Sequence, residues 1–328
     1  MKRISLVLMI ALVLTGCKQS AGTTKVSATG SIYECLVVCP NSVYTDIESV
    51  LAADMPCLPQ MEPYFTLSHV TNAAFDDFLK PTRNILIVDI DSMRYTDLKA
   101  KFSSDYWSKP QRVYRIQSPS TESFLAYWQA NGEIIRDWLV RQEIDRQGTF
   151  YKASTNKQAR QILQDRFDCD MLISEDYQLI MDTTFADGIH ALWLCNNKGT
   201  MRRDVVVYAY PYTDINTFTL DYLCAKRDAV LGRIVTAQVP GSYMGTEYKI
   251  FPPQLRTMKV QKDEVAYEVR GLWKIYDGEA MGGPFVSHTR LDQQHQRIVT
   301  AETFVFAAGQ KKRNALRQAE AILYTLHF

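Results

Sequence analysis

Apolar and polar positions alternate along this chain with two periods, and the switches between them predict its elements. Ile32–Val38 is a short apolar run rich in strand formers, and Asn84–Ile90 is continuous enough to suit a central strand. Tyr64–Val70 and Arg112–Ile116 complete the strands expected of the first half. Asn41 or Ser42 can cap a helix that puts Val43, Ile47, Val50 and Leu51 on one face. A long helix follows Ser118 and Pro119, striped by Phe124, Trp128, Ile135, Trp138 and Leu139. Gly132 interrupts it at a cost of about 1 kcal/mol relative to alanine. Aromatic residues at helical spacing predict core rather than a ligand platform.

Gly148–Thr155 is polar and turn-like, and is the expected internal boundary. Thr155-x-x-Gln158 then reads as a capping box ahead of a helix with Ala159, Ile162, Leu163 and Phe167 inward. Strands are predicted at Met171–Ser174, Gln178–Met181, His190–Cys195 and Asp204–Tyr210, followed by a helix from Asn216 to Gly232. Three more strands, Ala266–Tyr276, Phe285–Leu291 and Ile298–Phe306, precede a final helix over Lys311–Leu326. Short turns between strands, with helices separating the groups, predict an α+β fold: mainly antiparallel sheet with helices packed on it. Residues 31–150 and 151–328 each end in strands followed by a helix, a pattern that would suit two similar halves.

The start of the chain breaks this scheme. Lys2 and Arg3 precede an apolar run from Ile4 to Leu14, too short to span a bilayer, and Leu14-Thr15-Gly16-Cys17 closes it. This arrangement resembles the lipobox of bacterial lipoproteins: a signal peptide over 1–16, and acylation of Cys17 as the new N-terminus. Each buried methylene of such a lipid adds about 0.8 kcal/mol of membrane affinity. Residues 17–30 hold little to bury and read as a flexible tether. Without Lys2 and Arg3, the 37 basic and 36 acidic residues become 35 and 36, a net charge of −1. That balance gives no footprint for nucleic acid and no polybasic patch for anionic lipid.

Cys17 apart, six cysteines remain. Six permit up to three disulfides, but Cys35 and Cys39 share a strand face about 13 Å apart, too far to bond to each other, and buried free thiols are the simpler expectation. The five histidines show no ligand spacing, and no cofactor motif or metal site is expected. Asp89-x-Asp91 at a strand end reads as a solvated pair rather than a cation site, and Ser242 as a turn residue.

Candidate chemistry rests on two segments. In Leu58-Pro-Gln-Met-Glu-Pro-Tyr-Phe65 the prolines stiffen the backbone around Glu62, which could present an exposed acid–base or simply make a turn. In Tyr267–Trp273, alternation puts Glu268, Arg270 and Leu272 on one face and Tyr267, Val269, Gly271 and Trp273 on the other. Gly282 and Gly283 could bring backbone amides to an anion near Arg270 or His288. With Arg83, these residues (Glu62, Arg270, Trp273, Gly282, Gly283, His288) form the candidate ligand pocket. Lys311-Lys312-Arg313 reads as a solvated charge run or, less simply, an anion site at a helix start.

The segments Leu58–Phe65, Arg83–Leu86, Pro110-Gln111, Tyr267–Trp273, Met281–Phe285 and Glu320–Leu323 resemble an uncharacterised lipoprotein family of Bacteroides-type bacteria, family 4837 among domains of unknown function. The resemblance implies a Gram-negative lipoprotein and supplies no activity. No acidic stretch follows Cys17 and no aspartate occupies position 18, which by the same resemblance implies the outer membrane with the domain facing the periplasm. The expected function is a non-catalytic binding or envelope-assembly accessory, anchored to the membrane through Cys17, with an envelope protein or glycan as partner. The alternative is a periplasmic hydrolase of glycan or peptide with Glu62 as acid–base. Convergence of Glu62, Arg83, Arg270 and His288 in one pocket would favour an enzyme or small-ligand site.

Overall fold

The computed structural model describes residues 25–261 and 264–328, so the expected signal peptide, Cys17 and most of the expected tether lie outside the described residues. The first half comprises β1 (Val26–Ser27), β2 (Glu34–Val38), α1 (Asn41–Leu51), β3 (Thr66–Val70), β4 (Asn84–Ile90), β5 (Lys99–Ser104), β6 (Ser108–Lys109), β7 (Arg112–Ser118) and α2 (Thr121–Ala153). The second half begins with α3 (Lys157–Phe167), β8 (Gln178–Thr184), β9 (His190–Asn196), β10 (Arg202–Pro211) and α4 (Leu220–Ile234). It ends with β11 (Tyr243–Glu247), β12 (Gln254–Gln261), β13 (Glu264–Tyr276), β14 (Gly282–Asp292), β15 (Arg297–Phe306) and α5 (Arg313–Leu323).

The fold class is α+β. The larger sheet is antiparallel throughout, in the order β11-β13-β14-β15-β10-β9-β8, with β12 also paired to β13. The smaller sheet, β3-β2-β4-β7-β5, differs from the expected pairing: β2, β3, β4 and β7 run parallel, and β5 alone is antiparallel. Parallel neighbours need long crossovers, here α1 and the segments between β3 and β7, so turn length was a poor guide there. The two sheets also differ in strand direction and number, and the halves are not copies of one plan.

Helices α1, α2 and α5 form a layer between the sheets, with α2 touching β4, β7, α1 and α5, and α5 lying on β10, β14 and β15. Helix α4 covers the other face of the larger sheet, against β11 and β13. One continuous core runs from Val37 and Leu86 in the small sheet, through Leu139 in α2, to Leu194, Val207 and Leu316.

Local signals were partly overruled by packing. Helix α2 continues through Gly132 and Gly148 to Ala153, because Tyr151 is buried and its hydroxyl donates to the Gln318 carbonyl. Ser120 rather than Ser118 caps it, accepting the Ser123 amide at 3.2 Å. Asn156 rather than Thr155 caps α3, and α4 runs past Gly232 to Ile234. Met171–Ser174 forms no strand, only an isolated bridge from Ser174 to Thr155 and another from the adjoining Asp170 to His327.

Candidate functional site

The last helix is fastened by a residue 250 positions away: Glu62 Oε1 accepts the Lys312 amide at 2.6 Å, and Oε2 accepts the Arg313 amide at 3.1 Å. Helix α5 has no side-chain cap of its own. Glu62 satisfies two donors of its first turn and puts negative charge at the positive end of its dipole. Gln60 Oε1 takes Lys312 Nζ at 2.9 Å, and the Pro63 carbonyl takes Arg313 Nη1 at 2.7 Å. The proline-framed loop and the basic run are therefore two sides of one joint. Lys312 and Arg313 are buried, which corrects the solvated charge run, and Glu62 occupies the amides an anion would need. Glu62 is itself buried, so it is not the exposed acid–base that the hydrolase alternative requires.

One turn along α5, a cavity of about 390 Å³ opens at the seam between the halves. Met55, Pro56 and Tyr64 line it from the loop, and Val140, Arg141 and Ile144 from α2. Strand β12 contributes Arg256 and Lys259, β13 contributes Glu268 and Arg270, and the last helix contributes Arg317 with Tyr324 just beyond its end.

Arg270 is the hub. Its Nε donates to Glu268 Oε1 at 2.7 Å, and its Nη2 to Glu268 Oε2 at 3.1 Å and to Glu320. Arg317 Nη1 donates to both Glu320 oxygens at 3.1 and 3.0 Å, and Arg256 Nε to Glu268 at 2.5 Å. His288 Nε2 lies 3.2 Å from Glu268 Oε2. Burial pushes Glu268 up, but Arg270, His288 and Arg256 outweigh it and hold the carboxyl well below its usual range. Burial likewise opposes the charge on Arg270, and Glu268 with Glu320 overcomes it. His288 falls below 6.5 because burial outweighs the pull of Glu268, so the ring is neutral at pH 7. Arg270 Nη1 and His288 Nδ1 are left without a hydrogen-bond partner.

The other predicted residues lie elsewhere. Arg83 Nη2 pairs with Glu143 at 2.8 Å, and Asn84 Nδ2 donates to the same carboxylate at 2.7 Å, tying the edge of β4 to α2. Trp273 faces away from Arg270, among Phe304 and α4 side chains such as Leu231, as strand alternation predicted. Gly282 and Gly283 are paired with Lys274 and Trp273 in the β13–β14 ladder, not held in the open turn expected of an amide cradle. In the register of β13 and β14, Gly271 pairs with Phe285 and Trp273 with Gly283, so each glycine makes room for its neighbour's ring. A Cβ at Gly271 would sit 2.8 Å from Phe285 Cε1; one at Gly283 would sit 2.0 Å from the Val305 oxygen and 3.1 Å from Trp273 Nε1. The Gly-Leu-Trp and Gly-Pro-Phe triplets are a reciprocal packing device. Of the candidate set, Arg270 and His288 share one network, and Glu62 anchors the helix that completes it.

Two charged groups escaped the sequence reading. Arg227 and Glu302 form a fully buried bidentate pair under α4, with the guanidinium stacked 3.8 Å above Phe285. Burial pushes Glu302 up to about 7 against the pull of Arg227. Cys39 Sγ lies 3.4 Å from His69 Nε2 at the end of β2, but burial raises the thiol to about 12, far from an activated nucleophile. Asp89 is occupied by Arg94 and the Tyr95 hydroxyl, and Ser242 Oγ accepts the Ala237 amide in a turn. Among the described residues, no three His, Cys, Asp or Glu side chains are grouped to hold a metal. A signal for the cavity was present in α5. Arg313, Arg317, Glu320 and Tyr324 recur at helical spacing beside the apolar stripe, a second inward row.

The chain matches none of the curated proteins compared with it. Residues 28–152 match a family model described as Domain of unknown function (DUF8532). Residues 156–325, 170 of 328, match another, and on that extent the chain belongs to the family described as Domain of unknown function (DUF4837).

Proposed function

We propose that this protein is a lipid-anchored accessory of the outer membrane that faces the periplasm and works by binding rather than catalysis. The seam cavity carries the binding reading. Its charged wall consists of guanidinium groups and carboxylates already locked to one another, a rigid receptor surface, and its described lining holds no serine, cysteine or histidine. The N-terminal residues support the anchor: the basic start, the short apolar run and Cys17, with only seven residues between Cys17 and Lys25. At full extension that stretch spans at most about 28 Å, which keeps the folded part close to the lipid.

Palmitate labelling and membrane fractionation of wild type against Cys17→Ser test the anchor, with label and membrane residence expected in wild type alone. Unlabelled, soluble wild type would overturn it. Protease added to intact cells should leave the domain uncut; ready digestion would place it on the cell surface. Equilibrium dialysis of the detergent-purified full chain against small-molecule envelope extract tests binding. A retained compound supports the reading, and none retained by a folded sample refutes it.

A further inference from the structure

The wall of the seam cavity is unbalanced in charge. Arg141, Arg256, Lys259, Arg270 and Arg317 face Asp137 and Glu268, five cations against two carboxylates. Glu320, bonded to Arg270 and Arg317, and Asp145, bonded to Arg141, raise the acids to four, and the cations still outnumber them by one. Arg270 is 6% exposed, and its Nη1 has no partner although Nε and Nη2 are fully engaged. A buried donor in that state is costly, and an incoming oxygen relieves it.

Two aromatic rings hold neighbouring guanidiniums in place. Arg317 lies 5.6 Å from the centroid of Tyr64, and Arg141 lies 4.7 Å from that of Tyr324. Cations held this way lose little freedom when a ligand arrives. Alongside them, Met55, Val140, Ile144 and Met258 give the same cavity an apolar flank. Its volume suits a small molecule.

We propose that this cavity holds a small soluble organic oxyanion. Its carboxylate or phosphate meets the Arg256–Arg270–Arg317 wall, and its carbon skeleton lies along Met55, Val140, Ile144 and Met258. The planar fork of arginine matches both oxyanions, and positive charge in a partly desolvated cleft favours them over neutral ligands. This rests on the binding reading above and names the class of ligand.

Calorimetric titration of the detergent-purified full chain tests it, with inorganic phosphate, succinate, glycerol phosphate and neutral succinamide as probes. Saturable binding of at least one anion and none of succinamide is expected. Arg256 is half exposed, and Glu268 keeps Arg270 and His288 without it, so Arg256→Gln should weaken the anion about 10- to 100-fold while the protein still melts cooperatively at a modestly lower temperature. Arg317→Lys should weaken it in the same direction. Equal binding of succinamide, no binding of any anion, or an unchanged affinity in Arg256→Gln would overturn the proposal. Tighter binding of a short-chain diacyl glycerol phosphate than of glycerol phosphate would also overturn it, by assigning a lipid headgroup. If the envelope extract yields a neutral compound, binding stands and the oxyanion fails; if neither experiment yields a ligand, both fail.

Discussion

Replacing Glu62 separates a structural carboxylate from a catalytic one. In the native fold it accepts two buried backbone amides, those of Lys312 and Arg313, at the start of a helix with no cap of its own. Glu62→Ala leaves both donors unpaired, at about 1–3 kcal/mol each before relaxation, and removes a favourable dipole interaction of about 0.3–1 kcal/mol. Water entering the joint recovers part of this, so a net loss of about 2–4 kcal/mol is expected. Glu62→Gln keeps one acceptor oxygen and should lose about 1 kcal/mol. In urea, with a slope of about 3 kcal/mol per molar for a chain this large, the alanine midpoint should fall by about 1 M and the glutamine midpoint by about 0.3 M. Fluorescence of the tryptophans reports the transition. An alanine midpoint within 0.1 M of wild type would refute the capping argument. So would a glutamine variant of native stability that had lost an activity, because that pattern belongs to an acid–base.

Arg227→Met strands Glu302 as an unpaired buried acid and should cost about 3–5 kcal/mol, whereas Arg227→Met with Glu302→Leu should recover most of it; a double variant as unstable as the single in urea would contradict this. His288 titrates below 6.5 when folded, so at lower pH the unfolded chain binds the extra proton and stability should fall as pH drops below 6.5. In His288→Asn the urea midpoint should lose that slope, and an unchanged slope would assign it to another group. Gly283→Ala drives a methyl into the Val305 carbonyl and should cost about 2–3 kcal/mol, more than Gly271→Ala, where a ring edge can yield; equal melting temperatures would count against the packing device. Burial raises the thiols of Cys35, Cys39 and Cys169 to about 12 and those of Cys195 and Cys224 to about 11, and raises Cys57. A thiol reagent should therefore react slowly with the native protein and find six thiols besides Cys17 after denaturation without reductant; fewer would reveal a disulfide.

Periodicity located what has a strong period. Phe124, Trp128, Ile135 and Leu139 are buried core as their spacing required, and the two faces of β13 divide as alternation required. Strand β5, Lys-Ala-Lys-Phe-Ser-Ser, escaped because it is an exposed edge with no apolar face to mark it. Strands β11 and β12 escaped because they share one edge of β13, and only pairing with that strand makes them strands. The site was legible in part. Arg270 stood out against its neighbours, but its setting comes from Arg141, Arg256, Arg317 and Glu320, brought together by tertiary packing. Glu62 and Lys312 were both conspicuous, yet nothing local in either segment shows that one closes the other's open amides.

The shared interior has a consequence for how this chain can change. The two family models divide it near residue 154, but Leu139 and Leu316, from opposite sides of that division, belong to one packed cluster. Close-packed interiors transmit a change in volume to their neighbours. A larger or smaller residue at either position therefore presses on neighbours in that common interior, and accommodation must be found across both regions at once. The division marks two stretches of sequence; drift in one is constrained by the shape of the other.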